Sequence, residues 1–276
     1  MTRSTDICSD KTGTLTQGKM VAKKAWIPAK GTYSVGASHD PFNPTDGDLS
    51  FGSLSPNEID FEKSDEKSHA VQSEELLEDN TDLEEFLNVA ALANLANVHQ
   101  SHNGEWNARG DPTEIAIQVF AARFNWNRTR WTSGKSPVWE QLAEFPFDSD
   151  VKKMSVIFED SRSGDCHVFT KGAVERVIAS CTSVRVEEGE DPVEVTENFR
   201  QEVLENMEAL TALGLRVLAL ASRTFHGSAS ASTGLDRTEV EEGLTFQGLI
   251  GLYDPPRPES AASVRQCHEA GISVHM

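Results

Sequence analysis

The two ends of this chain read as strand-to-loop edges of one α/β unit, whereas helices and hairpins alternate between them, so the middle reads as an insertion into a fold that the ends begin and close. At the amino end, the short apolar run Ile7-Cys8 leads into Ser9-Asp10-Lys11-Thr12-Gly13-Thr14-Leu15-Thr16, a tight turn rich in hydroxyls that carries one carboxylate. At the carboxyl end, Ile272-Ser273-Val274-His275-Met276 is again strand-like. The pattern groups residues 1 to about 20 with about 250 to 276 and leaves 21–249 as the inserted domain.

A carboxylate on such a turn is built to accept a phosphoryl group. Asp10 supplies the nucleophilic oxygen, Thr12, Thr14 and the N–H groups around Gly13 can meet the phosphoryl oxygens, and Lys11 adds positive charge where negative charge accumulates.

Composition narrows the partners. With 44 acidic against 25 basic residues the formal charge is −19, which repels nucleic acid and anionic membrane surfaces. A hydrophobic share of 38% in 276 residues supports a sizeable core. Cys8, Cys166, Cys181 and Cys267 lie far apart without a metal-ligand spacing, which points to a reducing compartment and incidental thiols. No window is apolar enough to span a bilayer and the start lacks a signal-peptide pattern, so a soluble piece of a larger protein is expected.

Along the chain, about 34–80 is rich in Ser, Gly, Pro, Asn, Asp and Glu without a sustained period, and a flexible acidic surface insertion is expected there. Thr81-Asp82-Leu83-Glu84 reads as a capping box opening a helix to about His99. A second helix starts at Pro112 with Asp111 as N-cap, Glu114 completing another capping box, and runs to about Phe124. Lys153 to Phe158 and Cys166 to Thr170 form a hairpin. A third helix runs from Thr196 to Leu213 and stops at Gly214, and Leu215 to Ser222 and Leu244 to Leu252 read as buried strands.

The seven residues Asp10 to Thr16 match letter for letter the phosphorylation signature of the P-type cation-transport ATPases, and further stretches follow in that family's order. Gly110-Asp111-Pro112-Thr113-Glu114 resembles its nucleotide-domain acidic motif, with Glu114 facing the ligand and Asp111 acting as a helix cap. Phe145-Pro146-Phe147-Asp148-Ser149-Asp150-Val151-Lys152-Lys153-Met154-Ser155 is similar to its adenine-pocket strand. The resemblance implies Phe147 as the ring that stacks on the base, Lys152 near the phosphates and Met154 in the pocket wall. Thr170-Lys171-Gly172-Ala173-Val174-Glu175 looks like its Lys-Gly-Ala-x-Glu loop, with Lys171 lining the pocket and Gly172 letting backbone approach the ligand. Gly214-Leu215-Arg216-Val217-Leu218-Ala219 resembles the strand whose arginine reaches phosphate, although a structural carboxylate could satisfy Arg216 equally. Asp254-Pro255-Pro256-Arg257 is like the hinge back into the phosphorylation domain, and the resemblance puts Asp254 and Arg257 around the nucleotide.

The implied fold is α/β and α+β: part of a haloacid-dehalogenase-like phosphorylation domain carrying a large inserted nucleotide-binding domain, built on an antiparallel sheet flanked by helices. Residues 110–121, 145–149 and 270–276 look most like the fungal sodium- or potassium-exporting class. The implied cofactors are ATP and Mg²⁺, with Asp10 and the Thr12 carbonyl as metal ligands. The implied partners are transmembrane and actuator domains and a transported monovalent cation, and the location is the cytoplasmic face of a membrane, the plasma membrane by kinship.

Haloacid-dehalogenase-type phosphatases place a second Asp two residues after the nucleophile as acid and base. Thr12 stands there instead, which favours a persistent phosphoenzyme over a soluble phosphatase. The family's Thr-Gly-Asp loop and Gly-Asp-Gly-x-Asn-Asp metal loop do not occur in this sequence, so the chain by itself is expected to bind ATP without sustained turnover; a non-catalytic nucleotide-binding module is the other alternative. Ser133-Gly134-Lys135-Ser136 lacks the first glycine of a P-loop, His99, His102 and Glu105 lack a fourth ligand, and the sequon Asn127-Arg128-Thr129 is expected to be silent.

Overall fold

The computed structural model describes residues 5–59, 69–70, 80–187, 190–225 and 235–276. In chain order the elements are β1 Asp6–Cys8, β2 Val21–Ile27, β3 Gly31–Val35, β4 Leu49–Gly52, β5 His69–Ala70, α1 Thr81–Leu92, β6 Asn97–Gln100 and β7 Trp106–Arg109. They continue with α2 Pro112–Arg123, α3 Arg128–Ser133, β8 Trp139–Asp148, β9 Lys153–Asp160, β10 Cys166–Gly172, α4 Val174–Ala179, β11 Cys181–Val184 and β12 Val193–Glu194. The last are α5 Glu197–Ala212, β13 Arg216–Phe225, α6 Arg237–Val240, β14 Leu244–Tyr253, α7 Ser260–Glu269 and β15 Ser273–His275. None of the described helices is long and apolar enough to cross a membrane.

An 11-stranded sheet dominates, with the path β5-β4-β3-β2-β14-β13-β10-β9-β8 and with β11 and β12 attached beside β14. Every pairing along that path is antiparallel; β11 runs parallel to β14. Strand alternation sends apolar side chains to both faces. On β9, Met154, Val156 and Phe158 join the core beneath α1 and α2, which includes Leu83, Phe86, Ile117 and Phe120. Ile157 points the other way, into the core that α4 and α5 build with Val177, Phe199, Val203 and Leu210. The mixed α/β architecture with a large antiparallel sheet flanked by helices is the one expected.

At the chain ends, β1 and β15 pair in parallel, Ile7 opposite Val274, and form a separate two-stranded sheet. The Ser9 N–H extends that pairing by donating to the His275 carbonyl at 2.8 Å.

Two sequence expectations are corrected. The first is the irregular insertion: β4 and the last two residues of β3 lie within its described part and lengthen the main sheet, with Val35 and Leu49 buried and Phe51 packed on Tyr33 just before it. The polar residues that mimic disorder serve the turn instead. Asp46 accepts from the N–H groups of His39 (2.6 Å) and Asp40 (2.7 Å), and Arg123 donates to the carbonyls of Asp46 and Gly47. Residues 60–68 and 71–79 of the expected insertion lie outside the described residues.

The second is the helix running to His99, which ends at Leu92 and gives way to strand β6. Its N-cap is Asn80, whose side chain accepts from the Leu83 N–H at 3.0 Å. At the other end, fully buried Asn94 donates to the carbonyls of Ala90 (3.2 Å) and Glu114 (2.9 Å) and accepts from the Ala96 N–H (2.9 Å). These bonds replace the next helical turn, as short amides do when they capture backbone groups. Asn94→Ala leaves the buried Ala96 N–H without its partner and removes both amide donations, and is expected to cost about 2 kcal/mol, read as a lower urea midpoint at unchanged m-value.

Candidate functional site

The Asp10 loop is a type II turn. Thr12 (φ −76°, ψ 123°) and Gly13 (φ 78°, ψ −14°) occupy its two central positions, and the second requires the positive φ that glycine supplies. Asp10, Lys11, Thr12 and Thr14 all face solvent, and the Asp10 carboxylate has no hydrogen-bond or ion-pair partner among the described residues. The turn is fixed from behind by Thr16. Its buried hydroxyl accepts from the Gly13 N–H at 3.1 Å and donates to Asp254 Oδ2 at 2.7 Å.

Asp254 and Arg257 are part of that same fixation. Asp254 Oδ1 accepts from the Gly18 N–H at 3.1 Å, and Arg257 donates through Nη2 to the Gly13 carbonyl (2.7 Å) and through its backbone N–H to Leu15 (3.0 Å). Neither lines the cleft described next. Their partners lie over 230 residues away in sequence, a relation no local pattern encodes.

The other expected residues converge at one end of the main sheet. A cleft of about 380 Å³ is lined by Glu114, Phe147, Met154, Lys171, Gly172 and Arg216, together with Leu95, Asp111, Thr113, Pro146 and Leu218. A second concavity of about 420 Å³ shares Phe147, Arg216 and Leu218 and adds Lys152, Ser149, Glu175 and Met207. The Phe147 ring, 62% exposed, stands between the two. For a large apolar side chain that exposure offers a free stacking face.

Helix α2 delivers Glu114. Asp111 caps the helix by accepting from the Thr113 N–H (2.9 Å), as expected, but Glu114 closes no capping box. Its Oε1 meets Lys171 Nζ at 2.6 Å and its Oε2 accepts from the Leu95 N–H at 3.1 Å. Both carboxylate oxygens therefore have partners, and Glu114 forms a wall of the cleft as half of a buried ion pair. Burial pushes the Lys171 ammonium below the ordinary lysine range, against the opposing pull of Glu114.

Gly172 lines the cleft and is also constrained from within the fold. A Cβ there would overlap the Lys152 carbonyl oxygen and crowd Lys153, so the glycine admits neighbouring backbone. The turn from β8 to β9 presents Lys152. Asp148 Oδ1 accepts from the N–H groups of Asp150 (2.7 Å) and Val151 (3.2 Å), which hold its carboxyl below the usual carboxylate range. The ammonium of Lys152 and the guanidinium of Arg216, which follows Gly214 at the end of α5, have no hydrogen-bond or ion-pair partner among the described residues. Among the described residues no structural carboxylate pairs with Arg216.

Sequence reasoning missed Asn94 and Leu95, which it placed inside a helix. It also missed Arg128, which donates to the Asn94 carbonyl and to Gln141 Oε1 at 2.5 Å. The only signal was a short amide near the end of an apolar period. The discarded Ser133-Gly134-Lys135-Ser136 stretch follows the C-terminus of α3, where carbonyls rather than N–H groups point outward. No group of three or more His, Cys, Asp or Glu suited to a metal occurs among the described residues, and the four cysteines are free.

Glu114→Gln strands a buried ammonium and is expected to cost about 3 kcal/mol. Lys171 sheds its proton more readily folded than unfolded, so its contribution makes stability rise as pH climbs toward the ordinary lysine value. Glu114→Gln should extend that rise to lower pH, seen in urea titrations across the alkaline range. Asp254→Ala should speed amide exchange at Gly18 and Gly13 while leaving the main-sheet amides unchanged.

Comparison with known proteins places this geometry. Residues 82–259 match the family model described as P-type ATPase, cytoplasmic domain N. The chain is 42% identical over 99% of its length to the sodium/potassium exporting P-type ATPase cta3 of Schizosaccharomyces pombe, and 38% identical over 98% to sodium/potassium exporting P-type ATPase 1 of Saccharomyces cerevisiae. It is 31% identical over 98% to a calcium-transporting ATPase of Bacillus subtilis. The chain spans 25%, 28% and 26% of those relatives, about a quarter of their length. On these matches the chain belongs to the P-type cation-transporting ATPase family.

Proposed function

We propose that this chain is the ATP-binding and phosphoryl-accepting region of a pump that exports monovalent cations. The observation that carries the reading is the exposed Phe147 ring between a neutralised wall, Glu114 with Lys171, and two uncompensated cations, Lys152 and Arg216. That order fits an adenine on the ring and a polyphosphate on the cations. The two concavities, about 380 and 420 Å³, fall within the usual range for small-molecule sites.

Asp10 is the nucleophile. A carboxylate oxygen bonds to the γ-phosphorus as the bond from that phosphorus to the β,γ-bridging oxygen breaks, giving an aspartyl phosphate and ADP. Thr12, Thr14 and Lys11 face the transferred oxygens. The free Asp10 carboxylate suits Mg²⁺, which takes one or two carboxylates plus substrate phosphates, and Asp10 with the Thr12 carbonyl would hold it. The metal would neutralise charge on the phosphates. With Thr12 in place of a second acid, the position two residues after Asp10 offers no group suited to activate water, so the acyl phosphate persists.

The sodium/potassium exporting relatives at 38–42% identity, against 31% for the Bacillus subtilis calcium pump, support export of sodium or potassium as the reading. Transmembrane and actuator domains in the whole protein would couple the phosphoenzyme to transport at the cytoplasmic face of a membrane.

Calorimetric titration of the chain tests the cleft. Phe147→Ala should weaken ATP and adenosine alike by about tenfold or more. Lys152→Ala or Arg216→Ala should weaken ATP about tenfold and leave adenosine unchanged. Equal effects on both ligands would remove the phosphate assignment. In the full-length protein, label from γ-³²P-ATP should be acid-stable, hydroxylamine-labile and absent in Asp10→Asn.

A further inference from the structure

Lys152 is held in a conformation that a non-glycine residue keeps only when its neighbours enforce it, with φ at 57°. Its N–H donates to the Asp148 carbonyl at 2.6 Å and its carbonyl accepts from the Ala173 N–H at 3.0 Å. The next residue is gripped far more elaborately. The Lys153 carbonyl accepts from Arg237 Nη2 at 2.6 Å, while Lys153 Nζ donates to Ser180 Oγ at 2.8 Å and pairs with Glu241 Oε2 at 3.2 Å. Glu241 Oε1 also accepts from Arg237 Nε (2.9 Å) and Ser155 Oγ (2.8 Å).

Glu241 at 2% exposed and Lys153 at 7% are buried, while the Arg237 side chain stays partly exposed. Apolar residues of similar size would hold two strands together without taking the Lys153 and Glu241 charges out of water. What the charges add is direction. Arg237 reaches one residue from Lys152 and bonds main chain, and Glu241 fixes both Arg237 and the Lys153 side chain. Neither Arg237 nor Glu241 lines the cleft.

We propose that Arg237 and Glu241 are positioning residues for phosphate recognition: they clamp the backbone after Lys152 so that its ammonium is presented to the concavity it shares with Arg216. The proposal rests on the reading of the cleft as an ATP site. Helix α6 thereby governs how the chain distinguishes a nucleotide from a nucleoside without touching either.

The test titrates the chain and its Arg237→Gln variant with ATP and with adenosine, and follows the Lys152 ¹³Cα shift. Arg237→Gln should weaken ATP about tenfold, leave adenosine within about twofold, and move the Lys152 shift toward ordinary values. In the Lys152→Ala background the same substitution should cost nothing further, because its effect passes through that ammonium. If Arg237→Gln fails to fold, Arg237→Lys carries the test, since it keeps the charge facing Glu241 and cannot also hold the Lys153 carbonyl. Equal loss for ATP and adenosine, no loss for ATP, or a loss that adds to Lys152→Ala overturns the proposal. Failure of the unaltered chain to bind either ligand overturns the cleft reading first, and this proposal with it, a result distinct from lost discrimination.

Discussion

Burial of the central strands on both faces is the constraint on which the rest depends. Strands β9, β10, β13 and β14 have apolar cores above and below, so a polar group within them must find its partner inside the protein. Several side chains in these strands obey it, although Arg223 Nε on β13 is buried without a partner among the described residues. Lys153 meets Glu241, Lys171 meets Glu114, and Ser155 shares a hydrogen bond with Thr170. Against that background the free cations stand out, because Lys152 and Arg216 sit where the strands begin and both faces are no longer covered.

The same rule explains why one cleft contains both quiet and available charges. Glu114 spends its two oxygens on Lys171 and on the Leu95 N–H, and so shapes the wall while contributing little net field. Lys152 and Arg216, without partners among the described residues, leave their positive charge uncompensated in the concavity they share. Phe147 lies between these regimes and offers an apolar surface that burial would otherwise have claimed.

The carboxylate loop follows a different logic. It belongs to a small parallel pairing at the chain ends and depends on contacts made after the whole inserted sheet has been threaded. Thr16, Asp254 and Arg257 fix its backbone from behind, leaving the Asp10 side chain without a competing partner. The carboxylate is thereby left unengaged while its loop backbone is held. The Gln17 N–H donates to the Pro255 carbonyl at 2.9 Å, so the double proline is bonded to the loop and is more than a stiff connector.

Short-range physics was written in the sequence. Asp111 as a cap, the hairpin of β9 and β10, and the helix from Thr196 to Gly214 follow from residues within a few positions of one another. So does the glycine demanded by the Asp10 turn. Motif order brought Glu114, Phe147, Met154, Lys171 and Arg216 onto one list, and they do share a cleft. Tertiary structure alone decided that Asn94 ends its helix, that β3 and β4 join the sheet, and that Asp254 and Arg257 serve the loop. It also decided that Lys153 is buried while Lys152 is free. Each of those outcomes turns on which distant group a polar side chain meets once water is excluded, and a linear sequence carries no record of that distance.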